Sequence, residues 1–267
     1  MESEISLVMA YYNRPDLLYF TLRTLQLSSQ RNVTEVIVVD DGSLPDQKAS
    51  LVCNGFDLNI KIIDISPTTK TWFNSCIPFN RGFREAKGNI IIIQSPECFH
   101  FGDVILHALQ NVREDNYVLY SCKWIPEGIT KEFHNLKNAS EIEEKFKETF
   151  FLSLLERRDR WYHHPIHNPT MYHFTAAINR KTLLDGLGGF DERYGEGYCF
   201  DDNEFLERVK RSPLTIEMVQ SKICCTIHQF HPKFSINNLD ARWKRNYNLF
   251  HNVTKREKSW KANEVLL

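Results

Sequence analysis

Residues 35–43, EVIVVDDGS, constrain this chain more than any other stretch. Val36, Ile37, Val38 and Val39 run into two adjacent carboxylates, Asp40 and Asp41, and then into a Gly-Ser turn. An apolar, β-branched run without alternation reads as a strand buried on both faces, the habit of a parallel sheet covered by helices. Ligands of such sheets bind beyond the carboxyl ends of the strands, where residues 40–43 would lie. The two carboxylates are then open to use as metal ligands, as acid/base groups or as acceptors for a bound ligand. A plain solvated turn is the competing reading, because Asp, Gly and Ser are common in turns.

The flanking segments extend the pattern. Residues 5–10 (ISLVMA) form another apolar run, and Pro15 suits the first turn of a helix whose apolar stripe covers residues 17–27. Strand, helix and strand in that order make a right-handed βαβ unit. A short helix is expected near 46–52, a third parallel strand at 60–65, and a loop anchored by Trp72 and Phe73 at 67–78. Next come a helix at 81–87 closed by Gly88 as a C′ glycine, and an all-isoleucine strand at 90–93. A helix at 102–112 and a strand at 117–122 follow, and then a long charged helix at 139–158. Beyond these lie a strand at 171–178, a short helix at 181–184, a glycine-rich loop from 186 to 197 whose opening Gly186-Leu187-Gly188-Gly189 is read as a hinge, and a helix at 201–210. Two strands follow at 216–219 and 223–227, and His228 and His231 stand at their end.

Composition narrows the class. With 33 Lys and Arg against 34 Asp and Glu, bulk charge points to neither nucleic acid nor a membrane surface. Seven cysteines without regular spacing fit a reduced compartment better than a disulfide scaffold. No apolar run approaches the ~18–20 residues of a membrane span, and residues 1–15 lack the pattern of a signal peptide. These features predict a cytoplasmic protein without a membrane span. The basic, aromatic tail repeats Leu239, Trp243, Tyr247 and Phe250 near helical spacing, which suits a packed face or a homo-oligomer contact.

Taken in order, these parts resemble an inverting GT-A glycosyltransferase of the family 2 type. The resemblance rests on the first strand leading into Tyr12-Asn13-Arg14-Pro15, the strand ending DDGS, and the Asn80-x-Gly82-x-x-x-Ala86-x-Gly88 segment. It rests also on the isoleucine strand ending in a site segment and on GGFDERYGEGYCFDDNEFLER. It implies an α/β fold, a single Rossmann-like GT-A domain with a mainly parallel central sheet flanked by helices. That domain would cover residues 1–234, with a nucleotide-binding half to about 122 and an acceptor-binding half from about 123. A C-terminal helical tail, 235–267, would complete the chain.

By the same resemblance, a nucleotide sugar, expected to carry UDP, is gripped by Asp40 and Asp41, with Ala10, Tyr11, Tyr12 and Asn13 beside the base. Asn80, Arg84, Gln94 and Ser95 complete the expected donor set. The family's D-x-D motif is replaced by Gln94-Ser95-Pro96-Glu97, which leaves Glu97 as the one carboxylate. Glu97 and His228 are therefore the expected ligands of a divalent cation, Mn2+ or Mg2+, against the alternative of ordinary loop residues. Asp202 aligns with the base that would deprotonate an acceptor hydroxyl on a glycan or glycoprotein, with Asp201 orienting the acceptor. Asp201 and Glu204 also fit a capping box. His163, His164 and His167 are either an acceptor pocket or a structural cluster. Two rivals stand beside the transferase reading: a nucleotidyltransferase on a similar sheet, and a catalytically inactive binding module.

Overall fold

The computed structural model describes residues 4–232 and 238–262. In chain order the first half runs β1 (Ile5–Tyr11), α1 (Pro15–Leu25), β2 (Thr34–Asp40), α2 (Ala49–Cys53), β3 (Asn59–Asp64), α3 (Cys76–Glu85), β4 (Ile90–Gln94), β5 (Cys98–Phe101), α4 (Val104–Asn111), β6 (Asn116–Tyr120) and β7 (Cys122–Trp124). The second half runs α5 (Glu127–His134), α6 (Ala139–Lys147), α7 (Thr149–Glu156), β8 (Trp161–His163), β9 (Thr175–Asn179), α8 (Asp201–Arg211), β10 (Thr215–Val219), β11 (Cys225–His228) and α9 (Leu239–Asn252).

Seven strands form the central sheet in the order β10-β6-β9-β4-β1-β2-β3. All are parallel to their neighbours except β9, which runs against β4 and β6. Successive side chains of a strand point to opposite faces. Val8, Ile37, Val39, Ile91 and Ile93 accordingly pack with Phe79, Phe83, Phe190 and Phe205 on one side. Leu7, Met9, Val36, Val38 and Ile92 pack with Leu18, Leu22 and Ile105 on the other. Each of these larger side chains contributes about 1.5–3 kcal/mol by leaving water. A smaller sheet, β5-β11-β7-β8, lies beside the main one, and an aromatic cluster of Phe20, Phe99, Phe133 and Phe151 packs around it.

Several local expectations are revised. The helix read at 81–87 is α3, which begins at Cys76 and takes Pro78 into its first turn, where a missing N–H costs nothing. Gly88 is no C′ glycine: α3 ends before it, and it lies outside the left-handed region. A Cβ at Gly88 would stand 2.5 Å from the Ile5 carbonyl carbon, so close approach to β1 selects glycine there. The long helix read at 139–158 is interrupted at Glu148, whose backbone is extended. The strand read at 117–122 is two strands, β6 in the central sheet and β7 in the second.

The expected domain boundary at 234/235 falls outside the described residues. Beyond it α9 returns to the body of the protein. Phe250 joins the central core, and buried Asn246 donates to the carbonyls of Tyr194 (3.1 Å) and Cys199 (2.8 Å). A Cβ at Gly197 would lie 1.9 Å from Asn246 Oδ1, so glycine lets α9 clamp this loop. Among the described residues no helix is long and apolar enough to cross a membrane.

Candidate active site

A cleft of about 980 Å³ opens at the carboxyl ends of β1, β2 and β4 and is closed on its far side by the start of α8. Ala10, Tyr11, Tyr12, Asn13, Asp41, Ser95, Glu97, Asp201 and Asp202 all line it. Asp40, Asn80, Arg84 and Gln94, expected in the donor set, do not contribute to its wall.

The reasons are local. Asp40 is buried and accepts from the backbone N–H groups of Ser43 and Ala49, each at 2.8 Å, so both its oxygens hold the turn after β2. Asn80 donates to the Phe190 carbonyl and Glu192 Oε1, each at 2.8 Å, and accepts from Phe190 N. It braces the 189–192 loop rather than a ligand. Arg84 pairs with Glu192 at 3.4 Å on the same side. Gln94 points inward, donating to the Cys98 carbonyl (2.7 Å) and meeting His100 Nε2 (2.7 Å).

The donor side of the cleft is built around Asp41. Its Oδ2 accepts from Lys70 Nζ at 2.7 Å and its Oδ1 from Trp72 Nε1 at 2.8 Å. Burial raises the Asp41 carboxyl, and Lys70 and Trp72 oppose that rise. Tyr12 is 40% exposed, with Lys70 Nζ 4.7 Å from its ring centroid, so one aromatic face meets a cation while the residue stays open to the cleft. Tyr11 is buried instead, its hydroxyl donating to the Gln47 carbonyl at 2.6 Å.

A second corner gathers Glu97, His228 and His231. Antiparallel pairing of β5 with β11 sets Cys98 opposite His228 and so brings Glu97 beside it. Glu97 Oε1 lies 3.6 Å from Nε2 of both histidines and 2.9 Å from Arg14 Nη1. One ligand atom from each of the three residues falls within 4.8 Å of the others. His228 Nδ1 donates to the Gln229 carbonyl at 2.9 Å and His231 Nδ1 to the Pro232 carbonyl at 3.1 Å. Such bonds fix the tautomer and turn each Nε2 inward. Burial alone would raise the Glu97 carboxyl, but hydrogen bonding to His228 and His231 and the charge of Arg14 hold it well below the usual range. A carboxylate facing two Nε2 atoms, with Arg14 beside it, is a donor set into which one divalent cation fits. One carboxylate with two imidazoles fits Mn2+ better than Mg2+, which prefers oxygen ligands.

The far wall carries the start of α8. Cys199 and Phe200 adopt left-handed backbone angles (φ 60° and 68°), a strained approach that costs about 1–3 kcal/mol per residue. The expected capping box is absent: Phe200 is the N-cap, without a side-chain cap bond, and Glu204 pairs with Arg208. Asp201 is already helical and accepts from Asn74 Nδ2 at 2.8 Å. Burial and the neighbouring Asp202 push its carboxyl up to about 6. Asp202, with 41% of its side chain exposed, meets His173 Nε2 at 2.8 Å. Burial disfavours the imidazolium of His173, yet the charge and hydrogen bond of Asp202, with Asp201 behind, raise it overall.

The glycine segment read as a hinge is fastened. Buried Arg208 donates to the carbonyls of Leu187 (2.7 Å) and Gly189 (2.9 Å). The histidine cluster lies outside the cleft wall: His164 stacks on His167 at 4.4 Å, and burial pushes His163 and His164 down to about 4. Lys70, Trp72 and Asn74 were missed as site residues because they come from a loop without a clear period, and His173 because the strand read at 171–178 begins only at Thr175. For His231 a signal existed, since it follows His228 by three residues just after a strand.

Comparison with known proteins agrees with this architecture. The profile of the family described as glycosyl transferase family 2 matches residues 6–186. The curated protein "Uncharacterized glycosyltransferase YfnE" of Bacillus subtilis (strain 168) is 25% identical over 85% of this chain and 65% of its own length. S. aureus TarS 1-349, solved in complex with UDP-GlcNAc, superposes with a TM-score of 0.59 at 16% identity, covering 88% of this chain and 60% of that one. The mannosyltransferase PcManGT from Pyrobaculum calidifontis, solved with GDP-Man and Mn2+, gives 0.54 at 16% identity, covering 96% and 63%. The chain thus spans less than two thirds of the length of each of these three proteins.

Proposed function

The chain belongs to glycosyl transferase family 2 and has the GT-A fold, and from that premise we propose that it transfers a sugar from a nucleotide-diphosphate donor, a UDP-sugar, to a hydroxyl of a glycan or glycoprotein. The observation that carries this reading is the shared cleft. Asp41 with Lys70 and Tyr12, Glu97 of the corner formed with His228 and His231, and Asp202 all border one cavity of about 980 Å³. That volume suits a nucleotide sugar together with part of an acceptor.

On this reading Tyr12 offers a ring to the base, and Asp41 accepts from the nucleoside. Glu97, His228 and His231 would hold a Mn2+ ion, which supplies charge stabilisation to the departing diphosphate. Arg14, already beside Glu97, adds a fixed positive charge at the same corner. Asp202 takes the acceptor proton as the hydroxyl oxygen attacks the anomeric carbon from the side opposite the diphosphate, and the anomeric configuration inverts. Asp201, held by Asn74, orients the acceptor.

A second account of the diphosphate has its own observation. Arg14 Nη1 lies 2.9 Å from Glu97 and donates to His231 Nε2 at 3.1 Å, so Arg14 supplies positive charge for the diphosphate at this corner without a metal. One experiment separates the two: incubate the protein with a panel of nucleotide sugars, with and without Mn2+, and follow nucleotide release and thermal stabilisation. The transferase reading expects at least one donor to stabilise the protein and turn over. Failure of every donor contradicts it. Turnover unchanged by chelation favours Arg14 over the metal.

A further inference from the structure

Resting on the reading of Asp202 as the base, we infer that His173 is the positioning residue of the transfer, holding one oxygen of Asp202 so that the other meets the acceptor hydroxyl. Asp202 is 41% exposed at its side chain and stands in the first turn of a helix, where a carboxylate would otherwise sample several rotamers in water. His173 removes that freedom. Its Nε2 lies 2.8 Å from Asp202 Oδ1, and a proton on Nε2 donates to this oxygen in the neutral tautomer and in the imidazolium alike.

His173 is itself immobile. It is 8% exposed, with ring centroids of Phe190 at 4.9 Å and Phe205 at 5.5 Å. The preceding residue adds a second tether, because Asn203 Nδ2 donates to the Tyr172 hydroxyl at 2.8 Å. Two consecutive residues before β9 therefore fasten two consecutive residues of α8 across the cleft wall, although about thirty positions separate them in the chain.

In the step itself the acceptor O–H bond breaks and its proton passes to Asp202 Oδ2. The acceptor oxygen forms a bond to the anomeric carbon. The bond from that carbon to the diphosphate oxygen breaks, and its electron pair leaves with the diphosphate. His173 neither gains nor loses a proton. Its effect is on the orientation of the carboxylate and so on kcat, with donor binding left alone.

The test uses the full chain and a nucleotide sugar that stabilises and turns over with the wild type. Replacing His173→Phe keeps a ring between Phe190 and Phe205 and removes the donor. We expect kcat to fall about 30- to 100-fold with the donor KM within about twofold. His173→Gln, whose amide can still donate to Asp202, should recover activity to within about tenfold of wild type. In an Asp202→Asn background, His173→Phe should cause no further loss, because the two residues act as one unit. Wild-type kcat in His173→Phe overturns the inference, and so does an undiminished loss in the Asp202→Asn background. Should His173→Phe fail to fold, His173→Asn, which draws the amide back from Asp202, takes its place under the same criteria. Absence of turnover in the wild type overturns the transferase reading and this inference with it, whereas turnover that ignores His173 overturns this inference alone.

Discussion

Two pairs of adjacent aspartates stand at the cleft, Asp40-Asp41 after β2 and Asp201-Asp202 at the start of α8; all but Asp40 line its wall, and their surroundings separate them. In each pair the first carboxylate accepts from amide N–H groups, and the second lines the cavity beside a different kind of partner. Asp40 binds two backbone N–H groups of its own turn. Asp201 lines the cavity and accepts from Asn74 Nδ2. The second members differ in their partners. Asp41 is held by a lysine and an indole, whereas Asp202 is held by a histidine. A lysine and an indole N–H suit a carboxylate that grips a ligand. A histidine whose Nε2–H donates in either protonation state suits one whose other oxygen must meet the acceptor hydroxyl. Identical residues thus receive different work from the groups that face them.

The largest effect should come from Asp202→Asn, which removes the proton acceptor while keeping shape. Transfer should fall about 10²- to 10⁴-fold in kcat, with donor affinity unchanged, in a nucleotide-release assay. Full activity in this variant would move the base elsewhere, with Asp201 the first alternative. Next in size is Asp40→Ala, which leaves two buried N–H groups without acceptors. Urea unfolding should show a loss of about 3 kcal/mol, and a loss below about 1 kcal/mol would mean that the turn does not depend on Asp40.

The third prediction concerns Asp201 and pH. Its carboxyl sits at about 6 in the folded protein, above the ordinary 3.8. A raised carboxyl favours folding while protonated, so that contribution is full below about pH 4 and is lost as pH rises through about 6. Asp201→Asn is neutral throughout. It should therefore match the wild type near pH 4 and exceed it in stability by about 1–3 kcal/mol above pH 7. Parallel curves would show that burial of Asp201 is not costly. The smallest effect is expected for Asp41→Asn, which should weaken donor binding about tenfold by removing a charged acceptor, read as Kd by titration.

The parts legible in the sequence are those with a local physical signal. The apolar runs of β1, β2 and β4 announce strands by themselves, and the amphipathic pattern of α8 places Asp202 at a helix start. His228, beside a strand end, is legible for the same reason. What escaped was set by distant partners. Asn74 reaches Asp201 because the N–H groups of Phe73 and Asn74 donate to the Gly195 carbonyl, a contact that no period in residues 67–78 foretells. His173 meets Asp202 through a left-handed turn at Met171 (φ 63°) that no glycine marks. Pleating explains the inward residues. Neighbours at a strand end point to opposite sides, and Asp40 and Gln94 are the members of their pairs whose polar atoms are taken by partners inside the fold.

One paired measurement tests the division of labour most directly. Donor Kd and single-turnover nucleotide release are to be determined side by side for wild type, Asp41→Asn and Asp202→Asn, with a nucleotide sugar that stabilises the wild type. The account predicts that Asp41→Asn raises Kd with little change in the rate at saturating donor, and that Asp202→Asn leaves Kd alone while the rate collapses. If both variants move the same parameter by similar factors, the two pairs share one role and the account is contradicted.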